Sequence, residues 1–391
     1  MHRVDDPTGG EISMAEMTRR ERIMTATHKK RADKLPFFCL WRHSHVGWVE
    51  RECRNRGMGI FWARPPYITK MHGVKSSETQ VVSSGKVVLR RTYSASVGSV
   101  YLDEKREPGV EQWKGLSSWR NVAPWQTERL IKGPEDYKIL KYMVENTEYI
   151  PYYFPIEQAM DWLGDDGVVI NSLPYSGMQT LMVSWIGSEG GRFFIHHAKY
   201  PDLVEDLARA INKSREPLYE IAAKSPAPVV EIGGNIDGVL VNPKLFQKYF
   251  MPEYEKQAKV LHKHGKLLAT HMDGRVGVLK DLIAKTPIDI IEGLTTPPVG
   301  DLPIGEALSL WKDKAIWAGF AGSVLILGPE PVKKLALNLL REIGSGDRLV
   351  AELSTEIILS DENMLLLTSI LEKADLPLTK EKIDRIERSL A

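Results

Sequence analysis

Between Lys266 and Asp301 the chain reads KLLATHMDG, then a stretch with helical spacing, then IDIIEGLTTPPVGD. Two short apolar runs each end in polar side chains able to hold a proton or a metal ion: His271 and Asp273 on the first, Glu292 on the second. A helix fits the interval. The pattern is a βαβ unit, and open or closed α/β sheets place their chemistry at the carboxyl ends of such strands.

The same alternation recurs along the chain. Leu35–Trp41 (LPFFCLW), Val168–Asn171, Pro228–Ile232, Leu267–Thr270, Ile288–Ile291, Ala315–Ala318 and Leu349–Leu353 read as short buried strands. Helical patterns fill the intervals, among them Val46–Arg56, Tyr200 to about Ala223 and Pro243–His264, and a charged helix is expected at Met14–His28. Strands alternating with helices predict a parallel sheet with crossover helices. No glycine-rich dinucleotide loop follows an early strand, which weighs against a Rossmann sheet. Length and repetition favour a closed (β/α)8 TIM barrel.

One segment departs from this texture. After Glu78 the chain reads TQVVSSGKVVLRRTYSASVGSVYL, alternating apolar and polar residues around Ser84-Gly85, a hairpin signature. A small antiparallel β-hairpin insertion is expected at about residues 68–119. The polar N-terminal extension, MHRVDDPTGGEIS, is expected to be a frayed tail over residues 1–13, with residues 14–391 forming a single barrel domain.

Composition narrows the class. Lys and Arg number 52 against 51 Asp and Glu, so the dense basic footprint of a nucleic-acid binder is missing. Cys39 and Cys53 are the only cysteines, too few for a disulfide framework or a thiolate-rich zinc site, and the chain reads as cytoplasmic. It has no apolar run of the length a membrane span needs.

Polar residues at successive strand ends are the candidates for chemistry: Glu231 with Asn235 and Asp237, His271 with Asp273, Glu292, and Glu352 with Ser354 or Glu356. In a barrel these ends converge on one mouth. A histidine with carboxylates can ligate zinc or a similar divalent ion, and can equally serve as an acid/base set without metal. Each also has a structural reading. His271 could bond a loop carbonyl, and Asp273 before Gly274 could serve a turn or a helix cap. Glu231 closes an apolar strand, where burial without a partner is costly. Glu352 is not favoured, because an outward orientation would account for it. His196-His197 is expected at the surface or in a loop. His43 and His45, in WRHSHVGW, follow the first strand and could line the mouth.

Taken together, TRRERIMTATHKKRADKLPFF, RRTYSASVGSV, NPKLFQKYFMPEYEKQAKVLHKHGKLLATHMDG and SDENMLLL resemble the uroporphyrinogen decarboxylase superfamily, in order and spacing, over most of the chain. The resemblance implies a (β/α)8 barrel and two branches of chemistry. Decarboxylases of the superfamily carry two arginines flanking Gln-Ala-Gly after the first strand. Here that place reads LWRHSHVGWVER, where Arg42 matches the first arginine and the second has no counterpart. Methyltransferases acting on coenzyme M bind zinc through His-x-Cys and a later Cys. His271 matches that histidine, Asp273 stands in place of the first cysteine, and the later one is absent near Leu353 or Ser354.

The resemblance is therefore closest in character to corrinoid-dependent methyltransferases that accept a methyl ether, the methyltransferase component of O-demethylases. It implies transfer of a methyl group from an O-methylated donor to the cob(I)alamin of a partner corrinoid protein, and pairing of two copies as an assembly state. His271, Glu231, Asp273 and Glu292 are the expected catalytic residues. His271, Glu231 and Asp273 are the expected zinc ligands if metal is used. Asn235, Asp237, Arg42, His43, Trp41 and Tyr175 are the expected substrate-binding residues, and Trp41, Trp48, Trp62 and Tyr175 would suit an aryl group. The alternatives are a decarboxylase of a uroporphyrinogen-like or smaller acid, and a non-catalytic barrel that only binds.

Overall fold

The computed structural model describes residues 16–44, 47–105, 125–353 and 359–390. The expected tail and the expected end of the insertion near Trp119 lie outside them.

The strands in chain order are β1 (Phe37–Leu40) and β2 (Gly59–Arg64), then β3 (Tyr67–Met71), β4 (Lys75–Ser83), β5 (Lys86–Ala95), β6 (Gly98–Lys105), β7 (Trp125–Glu128) and β8 (Thr147–Pro151). They continue with β9 (Gly167–Leu173), β10 (Val229–Ile232), β11 (Leu267–His271), β12 (Ile290–Thr295), β13 (Ala315–Gly319) and β14 (Leu349–Glu352). Strands β1, β2 and β9 to β14 close into an all-parallel barrel in the order β1-β14-β13-β12-β11-β10-β9-β2. The chain is thus a (β/α)8 barrel with an antiparallel insertion.

Strand β2 was not anticipated from the sequence. Its residues, GIFWAR, are too few to establish a period and run straight into Pro65-Pro66. The parallel pairings with β1 and β9 make it a barrel strand.

Alternation along each strand separates two apolar layers. One face packs against the surrounding helices. The other fills the barrel: Phe38, Phe61, Ile170, Val229, Ala269, Ile290, Trp317 and Val350, from eight different strands, belong to a second buried cluster. Phe38, Phe61 and Trp317 meet with ring centroids 5.0–5.3 Å apart. The interior is therefore a packed core and not a pore, as side-chain layers in such barrels require.

Helix Arg19–Thr27 closes the amino-terminal end. A capping box starts it: Thr18 accepts from Glu21 N–H while Glu21 accepts from Thr18 N–H. Its Ile23 and Ala26 join the barrel core, and Thr27 Oγ1 accepts the buried Trp317 indole N–H at 3.2 Å. Cationic side chains at the entrances of β11, β13 and β14 bond carbonyls of the segment leading into the neighbouring strand. Lys266 Nζ donates to Ser225 and Ala227 carbonyls, and the fully buried Lys314 Nζ to those of Thr286 and Ile288. The Arg348 guanidinium donates to the carbonyls of Leu308, Trp311 and Lys314. These segments have no strand partner for their carbonyls, so the cations supply the donors a buried C=O needs.

The insertion leaves from the carboxyl end of β2. Strands β3 and β8 pair as an outgoing and returning stem, and β4-β5-β6-β7 form the antiparallel sheet. Ser84 and Gly85 both take positive φ (49° and 74°), giving the two-residue turn that joins β4 to β5 in register, Ser83 opposite Lys86. His196, expected at the surface, is instead buried, its Nδ1 3.0 Å from the Tyr137 hydroxyl of helix Pro134–Glu145. The long helix at residues 243–263 begins as expected, with the Asn242 side chain accepting from Lys244 and Leu245 N–H.

Candidate active site at the carboxyl end of the barrel

Two residues beyond the barrel core, the same interior face of the strands reaches the carboxyl-terminal end. Strand alternation puts Ser172, Glu231, His271, Glu292 and Glu352 there. The top layer is thus acidic, with one imidazole in it. Glu352 faces this interior and is buried, the reverse of the outward orientation considered from the sequence. It lies in register with Phe38 on one side and Gly319 on the other.

His271 ends β11 and is the Cα partner of Glu292 on β12. Its Nδ1 is hydrogen-bonded to Glu292 Oε2, and its Nε2 lies 3.4 Å from Asp273 Oδ2. The Glu292 side chain is only 4% exposed and that of Asp273 is 47% exposed, so one carboxylate anchors the ring and the other faces solvent. Burial alone would pull the imidazole pKa down. The Glu292 carboxylate, joined by Asp273, outweighs burial and raises it well above 6.5.

Backbone shape makes room for this ring. Gly293, directly after Glu292, has φ +71°, and a Cβ built there would lie 2.5 Å from His271 Cε1 and Nδ1. Glycine meets both the conformational and the steric requirement. On the other side, Gly234 backs onto His271 Cβ and the Tyr175 ring, and the buried Gln179 side chain donates to the Gly234 carbonyl. Tyr175 and His271 therefore flank one backbone segment. Gln179 carried no signal in the sequence; a helical glutamine is ordinarily a surface residue, and only the close approach of β9 and β10 buries it.

The other sequence candidates fall in different places. Glu231 shares the interior face with His271, and its register partner on β11 is Ala269. Asn235 is exposed on the loop after β10, with φ +54°. Asp237 accepts from Val239 N–H (2.7 Å) and Arg275 N–H (2.9 Å), tying the loop after β10 to the loop after β11. Trp41 stacks on Trp62 with centroids 5.0 Å apart. His43 is half-buried in the turn after β1. The side chain of Arg42, and residues His45, Ser354 and Glu356, lie outside the described residues. Asn363 of the SDENMLLL motif is buried, its Nδ2 donating to the Leu325 and Leu327 carbonyls, so it fastens the last crossover helix to the loop after β13.

Among the described residues the donor set does not assemble a zinc centre. A catalytic zinc takes three protein ligands and a tetrahedral arrangement. Among the described residues, no three His, Cys, Asp or Glu side chains converge as such a group. His271 Nε2 and Asp273 meet, while Glu292 engages the Nδ1 nitrogen. The arrangement is that of an imidazole held between two carboxylates.

No family model and no curated protein sequence matches the chain. Among solved structures, a methyltransferase from Methanosarcina mazei superposes with a TM-score of 0.51 at 11% identity, over 95% of this chain and 100% of that one. A Bacteroidetes-affiliated GH5 cellulase linked with a polysaccharide utilization locus gives a TM-score of 0.38 at 8% identity, over 73% of this chain and 89% of that one. At these identities the similarity is one of fold, and it rests on the first structure. Among the described residues no helix is long and apolar enough to cross a membrane.

Proposed function

We propose that the chain is a methyltransferase that moves a methyl group from an O-methylated donor, an aryl methyl ether in the favoured case, to the cob(I)alamin of a partner corrinoid protein. The observation that carries this reading is the His271 imidazole held between Glu292 and Asp273 at the end of β11. Cleaving a methyl ether needs a proton for the departing oxygen. The reduced corrinoid, as second substrate, supplies the electron pair that forms the new bond to methyl carbon. The C–O bond breaks, its electrons stay on oxygen, and His271 Nε2 delivers the proton that makes a neutral phenol.

The acid strength is suited to this step. An aryloxide takes up a proton with a pKa near 10, so it can accept one even from an imidazolium whose pKa is raised. Glu292 keeps the ring oriented and charged. Asp273, partly in water, is placed to return a proton to the ring afterwards. No nucleophilic serine or cysteine is needed from this chain.

The test is methylation of free cob(I)alamin by the purified protein, under a strong reductant, across a panel of methoxyarenes. Methylcobalamin and the free phenol should form together. His271→Gln should slow the reaction by about 10²–10⁴-fold, the usual contribution of a positioned acid. Folded protein that yields no methylcobalamin from any methoxyarene would overturn the reading.

A further inference from the structure

Arg64 is the last residue of β2, at the carboxyl end of the barrel where the insertion departs. Its guanidinium lies over the Trp62 ring, 4.4 Å from the centroid. Trp62 in turn stacks against Trp41 (5.0 Å, 26°) and Trp162 (6.3 Å, 29°). Two indoles and one guanidinium thus pack around Trp62, and Trp162 is 68% exposed.

Among the described residues no acceptor engages this guanidinium, and its Nε is buried without a hydrogen-bond partner. Other half-buried arginines of the chain have acceptors. Arg22 bonds Asp33 and Glu16, Arg54 bonds Glu50 and Asp166, Arg90 bonds Asp103, Arg215 bonds the Tyr175 carbonyl, and Arg348 bonds three carbonyls. Asn171, directly across from Arg64 in register on β9, turns its amide to the Ala222 carbonyl at 3.4 Å, and its own Oδ1 is not shared with Arg64. Burial without an acid depresses the basicity of Arg64. A cation taken partly out of water with no counter-charge is costly, and an unsatisfied buried donor calls for a group not contributed by the chain.

We propose that Arg64, seated on the Trp41–Trp62–Trp162 cluster, is a binding site for the carboxylate of a planar aromatic acid. The two Nη nitrogens offer a fork that matches a carboxylate edge, and the indoles offer flat apolar surface for the ring that bears it. The pairing of the two is what selects this class over an aliphatic acid or a neutral arene.

Benzoate is the probe, with benzamide as its neutral match, in tryptophan-fluorescence and calorimetric titrations of the full chain. Benzoate carries no methyl group to transfer, so its binding reports on Arg64 whatever the reaction at His271. Benzoate should perturb the tryptophan emission and bind at least about tenfold more tightly than benzamide, as a charge-assisted bidentate contact requires. Arg64→Met should abolish that preference, and Arg64→Lys, which keeps the charge but not the fork, should reduce it several-fold. Arg64→Lys also stands in if the methionine variant does not fold. Equal binding of benzoate and benzamide by the unaltered protein, or an unchanged preference in a folded Arg64 variant, would overturn the proposal.

Discussion

His271 and Glu292 occupy the same level of neighbouring parallel strands, and the imidazole Nδ1 is bonded to a carboxylate that is almost wholly out of water. That carboxylate therefore favours the protonated form of the ring. It follows that the pair couples stability to pH. The folded protein holds the His271 proton more tightly than the unfolded chain does, so this stabilisation is complete below the ordinary imidazole value of 6.5 and declines as pH rises towards the elevated one. Urea-denaturation midpoints measured from about pH 6 to 9 should fall more steeply for the unaltered protein than for Glu292→Gln, whose histidine has lost its main counter-charge. Parallel slopes would show that Glu292 does not hold the proton.

Gly293 carries two constraints at once, a positive φ and the face of the His271 ring. Gly293→Ala should cost about 1–3 kcal/mol of stability. It should also push the imidazole off Glu292, bringing methyl transfer down to the level of His271→Gln. A Gly293→Ala protein with normal turnover would separate the ring's position from catalysis.

Asp237 stood among the candidate substrate ligands, and its two carboxylate oxygens accept main-chain N–H groups from two different loops. Asp237→Ala should destabilise the chain by about 1–3 kcal/mol through the donors left without acceptors. Amide hydrogen exchange should quicken at Val239 and Arg275 while the rate at saturating donor falls less than in His271→Gln. Unchanged exchange at both amides would remove the loop-tying role.

At the opposite end of the barrel, Lys314 is fully buried and donates to two turn carbonyls. Lys314→Met keeps the apolar stem and loses both charge-assisted bonds, with an expected cost of about 2–4 kcal/mol. Kinetics at the mouth should be unaffected if the variant is assayed well below its melting temperature. A melting temperature equal to that of the unaltered protein would sink this account of how the turn is held.

A proton-donor site also responds differently to chelation from a zinc site. Prolonged dialysis against a strong chelator should leave both the proposed methyl transfer and the melting temperature unchanged, since among the described residues no three ligands converge at His271. Loss of activity restored by zinc would require a rearrangement of His271, Asp273 and Glu231 into one centre.

Local sequence was enough to reveal the alternation of strand and helix, the hairpin turn at Ser84-Gly85 and the strand-end position of His271, whereas Glu292, read as following a strand that stops at Ile291, lies inside β12 (Ile290–Thr295). These are short-range properties: apolar period, turn chemistry, and the polar residue that closes a buried run. The presence of β2, the inward orientation of Glu352, the burial of His196 and Gln179, and the loop-tying role of Asp237 came only with the closed barrel. In each of them the deciding neighbour is remote in the chain. Tyr137 and His196 are 59 positions apart, Gln179 and Gly234 are 55 apart, and Asp237 and Arg275 are 38 apart. A carboxylate or imidazole reads the same in a sequence whether water, a main-chain N–H or a counter-charge will meet it. Barrel closure makes that choice, because it sets which strand edges touch and which faces lose water.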